Sequence, residues 1–266
     1  MNLALDLAMA LDPVVFGHES GIDLDPWQQT VSRSAAKRIM LCCSRQSGKS
    51  TTTAMIALHD TIYRPEFNIL LLSPSLRQSS ELFRRVLAIL NKLPDRPPVI
   101  EENKLSLQFA NLSRIVSLPA SESTVRGFTA DKIIIDEAAR VPDDLYRAVR
   151  PMLATRQGQL TLMSTPFGRR GFFFDEWTAG GDAWERVLIP ATQCPRITPE
   201  FLAEEKRSMG EVWYNSEYLC MFSETVNSVF RYEDVDGAFS DDISPLFATA
   251  KAPDDDDGLS PLFFAL

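Results

Sequence analysis

The sequence predicts an α/β protein with a mostly parallel central sheet flanked by helices. Two observations carry this. Short, nearly continuous apolar runs at residues 39–43, 67–72, 132–136 and 160–164 alternate with segments of helical spacing. Such runs suit strands buried on both faces, and their alternation with helices suits parallel pairing. Two of the runs also end in polar chemistry. The first leads into Ser44-Arg45-Gln46-Ser47-Gly48-Lys49-Ser50, and the third closes on Asp136-Glu137. The carboxyl ends of parallel strands are where open α/β sheets bind ligands.

In chain order, residues 1–11 are apolar but carry Asp6 and no basic residue, so they do not resemble a secretory signal. They read as an amphipathic or frayed helix. Asp25-Pro26 opens the next helix, because aspartate suits the cap and proline the first turn. The strand at 39–43 and the phosphate-type loop follow, then helix formers over 53–58. The strand at 67–72 leads to Ser73-Pro74-Ser75, which starts a helix running to about Leu93. Leu82, Val86 and Leu90 line one side of it, and Arg77, Arg84 and Arg85 the other. Prolines at 94, 97 and 98 break the chain. Residues 105–109 and 114–118 read as a hairpin around Asn111. After the strand at 132–136, Pro142 begins a helix to about Leu153. The strand at 160–164, a helix over 171–177 and a strand over 184–189 come next. Helices over 198–209 and 212–222 end the ordered body. No internal repeat is present.

Composition bounds the function. A hydrophobic fraction of 45% and a charged fraction of 24% are those of an ordinary globular chain. No apolar run approaches the roughly 20 residues of a membrane span, so no membrane association is expected. Four cysteines, at 42, 43, 194 and 220, lack metal-ligand spacing and read as buried reduced thiols. The net charge of −9 sits mostly in one place. Residues 233–257 hold nine acids and one lysine, so the first 232 residues are close to neutral. Asp254 to Asp257 form a run of like charge, which reads as a solvated tail and not as a metal site. Three expected regions follow: a lead segment over 1–23, a main domain over 24–222 with a small helical part at its end, and a linker with an acidic, disordered tail over 223–266.

The loop carries the chemistry. Gly48-Lys49-Ser50 sits where a buried strand turns into a helix, which is the context of a phosphate-binding loop. Amide groups at a helix start bind phosphate oxygens, and a glycine allows close approach. Lys49 can reach the β- and γ-phosphates, and the Ser50 hydroxyl can ligate Mg²⁺. The usual first glycine of the motif is replaced by Cys43, and a Gly-Lys-Ser triplet alone is a weak signal. Asp136-Glu137 strengthens it. Asp136 would hold Mg²⁺, directly or through water, and Glu137 would polarise the attacking water. Ser164-Thr165-Pro166, at the end of another apolar strand, could sense the γ-phosphate, although such triplets are common in turns.

Trp27-Gln28, the Ser-Arg-Gln-x-Gly-Lys-Ser loop, Arg126-Gly127, Ile135-Asp136-Glu137-Ala138 and Ser164-Thr165-Pro166 together resemble the ATPase motor domain of the large terminase subunit of tailed bacteriophages. The likeness spans about residues 24–222 and accounts for the missing first glycine. It implies a P-loop NTPase fold of the ASCE/RecA-like kind, using ATP and Mg²⁺. It implies that Trp27 and Gln28 lie near the adenine. Ser44, Gln46, Ser47, Gly48, Lys49, Ser50 and Thr51 would hold the nucleotide, and Arg45 would reach the γ-phosphate from within the loop. Asp136 would be the metal aspartate and Glu137 the catalytic carboxylate. Ser164 and Thr165 would couple hydrolysis to DNA movement, and Arg126 matches the family without an assigned role. The family packages double-stranded DNA into a procapsid in the host cytoplasm, as a homo-oligomeric ring at the portal protein with a small terminase subunit. In the family a nuclease domain follows the motor. It is not recognisable in this sequence, so DNA cleavage is not expected, and weak monomeric DNA binding is expected from the near-neutral body. Two other readings stay open: a DExx helicase-like translocase, and an inactive remnant that binds ATP or DNA without turnover.

Overall fold

The structure, a computed structural model, describes residues 3–121, 125, 127–223 and 237. Met1–Val226 forms one compact unit, which contains every element named below. Of the remainder only residue 237 is described, so the acidic run at 254–257 and the segment leading to it lie outside the described residues.

The strands are β1 (Arg38–Cys43), β2 (Asn68–Ser73), β3 (Val99–Glu102), β4 (Ser106–Phe109), β5 (Arg114–Pro119), β6 (Lys132–Asp136), β7 (Gln159–Ser164) and β8 (Glu185–Ile189). They build one eight-stranded sheet in the order β3-β4-β5-β2-β6-β7-β1-β8. From β5 to β8 every pairing is parallel, while β3 and β4 extend the sheet antiparallel. The sheet is therefore mostly parallel, as the apolar runs predict. The hairpin expected from 105–109 and 114–118 is β4 with β5. β3 escapes the sequence pattern because Val-Ile-Glu-Glu neither alternates nor stays apolar, and it pairs with a register shift between Val99 and Glu101.

The helices are α1 (Leu3–Leu11), α2 (Pro13–Glu19), α3 (Pro26–Ser32), α4 (Lys49–Tyr63), α5 (Leu76–Leu90), α6 (Asp143–Val149), α7 (Gly171–Ala179), α8 (Pro199–Met209) and α9 (Glu211–Glu217). They cover both faces. Along β1, Ile39, Leu41 and Cys43 pack with residues of α1 to α5, whereas Met40 and Cys42 pack with α6 and α7. β2 and β6 divide in the same way, as side chains on a strand must. The adjacent thiols of Cys42 and Cys43 thus point into different layers, and all four cysteines are free and buried. A third small core joins α8 and α9 through Leu202, Tyr214 and Tyr218. Among the described residues no helix is long and apolar enough to cross a membrane.

Two helices differ from their sequence expectation. The one beginning at Pro142 is α-helical only to Val149, then tightens to a 3₁₀ turn over Arg150–Leu153. Pro151 lacks the amide that would continue the ladder. The final helix stops at Glu217 instead of running to Phe222. There the Tyr218 carbonyl accepts from the Ala191 amide at 2.7 Å, and Cys220 takes a left-handed φ of 57°. Bonding towards the end of the sheet replaces the helical bonds.

The lead segment is built into the core. Phe16 is fully buried and meets the rings of His59 and Tyr63 edge-on at 5.4 and 6.1 Å. His59 Nε2 lies 3.0 Å from the Met9 carbonyl, and burial holds its imidazole below the ordinary range. Next to it, the Lys132 ammonium donates to the Asp60 carboxylate, and only 6% and 3% of these two residues are exposed. Burying two charges costs several kcal/mol each, which close pairing offsets. Asp60 also meets Arg64 Nε at 3.3 Å, but that side chain is half exposed, so loss of the buried ammonium leaves the carboxylate poorly compensated. Lys132→Met should therefore destabilise the protein by about 3 kcal/mol in urea denaturation. Adding Asp60→Leu should recover most of that loss. A double variant no more stable than the single one would contradict the pairing argument.

Candidate nucleotide-binding site

The site forms at the carboxyl edge of the sheet, where β1, β7 and β6 end side by side. β7 lies between the other two. The ends of β1 and β6 are thus two strand spacings apart, about 10 Å, a gap that a side chain from each can close.

From β1 the chain enters the loop through Ser44, whose amide donates to the Ile189 carbonyl of β8 at 2.9 Å. Gln46 and Gly48 both take left-handed φ, at 58° and 94°. A Cβ at Gly48 would lie 2.6 Å from Gln28 Nε2, so it would also displace the end of that side chain. Ser47 Oγ donates to the Ser44 carbonyl at 2.9 Å and closes the turn. α4 then begins at Lys49, so its free amides face the loop, an arrangement that binds anions.

β6 delivers the carboxylates. Asp136 Oδ2 accepts from the Ser50 hydroxyl at 3.4 Å, and Asp136 Oδ1 accepts from the Glu137 amide at 2.9 Å. Glu137 adopts a left-handed φ of 50°, an uncommon state for a residue with a side chain. Its Oε1 lies 3.5 Å from the largely buried Lys49 ammonium. Burial, and then the neighbouring Glu137 charge, raise the Asp136 carboxyl to about 6. Ser50 and Asp136 are hard oxygen donors about as far apart as cis ligands of Mg²⁺, which are roughly 3 Å apart at bond lengths of 2.0–2.1 Å. Among the described residues no group of three or more His, Cys, Asp or Glu could hold a metal ion, so the candidate metal site is this one hydroxyl and one carboxylate. From β7, the Ser164 hydroxyl accepts from the Ala139 amide at 3.2 Å and so ties the third strand end to the turn after Glu137. Thr165 beside it is almost fully buried.

The other sequence-selected residues are distributed as follows. Gln28 bridges α3 and the loop: its Oε1 accepts from the Asp25 amide at 2.8 Å, and its Nε2 donates to the Ser47 carbonyl at 3.4 Å. Trp27 is half-buried against the core, and its Nε1 has no hydrogen-bond partner among the described residues. The Thr51 hydroxyl accepts from Arg85 of α5 at 3.2 Å. Arg45 turns to α9, where its Nε and Nη2 donate to Glu217 at 2.6 and 3.2 Å. Arg126 lies outside the described residues.

Three site residues carry no sequence motif. Glu217 is 4% exposed and also accepts from Arg140 at 3.4 Å. Arg140 in turn lies over the Phe167 ring at 4.2 Å, with its Nε 3.9 Å from Glu137. Arg196 donates to the Ser47 carbonyl at 3.3 Å. Only their paired charges hint at them, and the partners are too distant in sequence to be matched.

The Asp136 shift has a measurable consequence in the metal-free protein. The folded state holds its proton up to about 6, whereas the unfolded chain loses it near 3.8. The folded state therefore binds more protons in that window, and stability falls as pH rises through it. Asp136→Asn should stabilise the metal-free protein by on the order of 2 kcal/mol at pH 7, and by almost nothing at pH 4. Thermal unfolding at the two pH values checks this. An equal effect at both would exclude the electrostatic cause.

Comparison with known proteins agrees with this geometry. Residues 40–236 match the family described as terminase large subunit, T4likevirus-type, N-terminal. The terminase large subunits of Thermus phage G20c and Thermus virus P23-45 are each 28% identical over 206 residues, which is 70% of this chain and 42% of theirs. The chain thus spans less than half the length of these relatives. The ATPase domain of the Thermus phage P74-26 large terminase superposes with a TM-score of 0.68 at 23% identity, over 78% of this chain and 97% of that one. The large terminase of thermophilic bacteriophage D6E in complex with ADP superposes with a TM-score of 0.63 at 14% identity, over 75% of this chain and 54% of that one. At these identities the structural likeness concerns the fold, which is that of terminase ATPase domains. With three quarters of its length matched by the family, the chain belongs to the terminase large subunits, in the region of their N-terminal domain.

Proposed function

We propose that this chain is an ATPase whose turnover drives double-stranded DNA into a viral procapsid. The observation that carries the reading is the meeting of Lys49, Ser50, Asp136 and Glu137 at one sheet edge, in a chain of the terminase family. In this reading the α4 amides and Lys49 hold the phosphates. Ser50 and Asp136 would hold Mg²⁺, which would neutralise charge on the β- and γ-phosphates. Glu137 orients a water and takes its proton as the water oxygen attacks the γ-phosphorus. The bond from that phosphorus to the ADP oxygen breaks, and ADP and phosphate leave. The Lys49 ammonium stands 3.5 Å from Glu137 Oε1, between the start of α4 and the carboxylate.

Arg45 in this reading stabilises charge on the γ-phosphate oxygens. It must first release Glu217, which makes α9 part of the cycle. Ser164 couples the site to movement, because its hydroxyl holds the turn that carries Glu137. Double-stranded DNA, a portal protein, a small terminase subunit and further copies of the chain in a ring are the proposed partners. The proposed setting is the cytoplasm of a bacterial host.

Two substitutions test the assignment. Glu137→Gln should retain Mg²⁺-ATP affinity within about threefold while kcat falls at least 10²-fold, since the carboxylate acts on the water in the transition state. Equal loss of both would argue against its role. Arginine contacts to a transferred phosphoryl group contribute roughly 10³–10⁵ in rate, so Arg45→Ala should lower kcat by at least 10²-fold. A change under about threefold would assign Arg45 a purely structural bond to Glu217.

A further inference from the structure

We infer that Arg196 is the platform on which the nucleotide base stacks, and that it thereby ties the segment after β8 to nucleotide binding. The inference rests on the proposed nucleotide site and adds a residue to it.

The polarity of the site gives the direction. Phosphates at the start of α4 have their metal flank on the side of Asp136, towards β6, as the Ser50 to Asp136 contact requires. On the other side of β1 lies β8. A nucleoside attached to those phosphates must leave the loop away from the metal flank. Asp25, Gln28 and Arg196 gather against Ser47 and Gly48, and Arg196 belongs to the segment that follows β8.

Arg196 is prepared for a flat ligand. Its Nη1 and Nη2 donate to the two Asp25 carboxylate oxygens at 2.9 and 2.8 Å, a fork that fixes the plane of the guanidinium. Nη2 also donates to the Ser47 carbonyl at 3.3 Å. The same nitrogen lies 3.5 Å from the point a Gly48 Cβ would occupy, so the group sits directly over the loop. Yet the side chain remains 51% exposed, so solvent reaches it in this state. A planar, weakly hydrated cation held in one orientation beside a phosphate loop suits the π-face of a base. Arg196 also stands between the 3₁₀ turn at Ala191–Gln193 and α8, whose cap is Thr198. Base occupancy therefore bears on the helical part that carries Glu217.

The alternative is a strut, in which Arg196 merely fastens α3 to the loop through its charge. Arg196→Lys separates the two, because lysine keeps the charge but loses the plane and the fork. The test measures binding of Mg²⁺-ATP and of Mg²⁺-tripolyphosphate, which lacks a nucleoside, by calorimetry. Arg196→Lys should weaken ATP about tenfold and leave tripolyphosphate within about twofold, the size expected for a lost stacking contact. Lys49→Ala should weaken both ligands. Unchanged ATP affinity in Arg196→Lys would overturn the inference and leave a strut. Equal weakening of both ligands would also overturn it, in favour of a phosphate contact. A wild-type protein that binds neither ligand would overturn the nucleotide reading itself.

Discussion

The contact between Lys49 and Glu137 is the interaction around which the site is arranged. It joins the first residue of α4 to the first residue after β6, across the intervening strand β7. A lysine removed from water needs a counter-charge, and a carboxylate in the same place needs a cation. Here one ammonium stands against two carboxylates, Asp136 and Glu137. Burial first, and then the neighbouring Glu137 charge, raise the Asp136 carboxyl. An edge of this kind, with helix-start amides beside it, is electrostatically incomplete. It favours a ligand that brings an anion for the amides and lysine together with a cation for the aspartate.

Glu217 extends this arrangement beyond the sheet edge. It is buried, and three donors from two guanidinium groups satisfy it, two from Arg45 and one from Arg140. The Arg45 amide also donates to the Glu217 carbonyl at 3.0 Å. A continuous line of charges therefore runs Lys49, Glu137, Arg140, Glu217, Arg45. Each member lies within 4 Å of the next. Adding negative charge at the loop changes the balance at both arginines at once. The end of α9 is thereby joined to the loop by side-chain ion pairs and by one backbone hydrogen bond.

At the other end of the sheet, the pairing of Lys132 with Asp60 fixes the start of β6 against α4. α4 is thus held at both ends by charge, at Lys49 and at Asp60, with ten buried residues along its length. The lead helices α1 and α2 close over this region through Phe16 and Met9, which makes them part of the same core layer.

The sequence alone determined the class of fold and the core of the site. Both are local: four apolar runs declared themselves by length, and Lys49, Ser50, Asp136 and Glu137 by their place at strand ends. The helix of α5 was legible from its apolar spacing, and the hairpin of β4 and β5 from alternation. What only the tertiary structure decided is non-local. Strand order depends on which parallel neighbours pair, and no residue pattern distinguished β7 as the strand between β1 and β6. β3 was hidden because its pairing comes from β4 and not from its own residues. The end of α9 was set by a carbonyl that bonds to Ala191, 27 residues away in sequence. The partners of Arg45 and Arg196, Glu217 and Asp25, are 172 and 171 residues distant. Charges so far apart in a chain rich in both signs carry no pairing signal. Only the packing of α3, the loop and α9 around the end of β1 brings them within hydrogen-bonding distance.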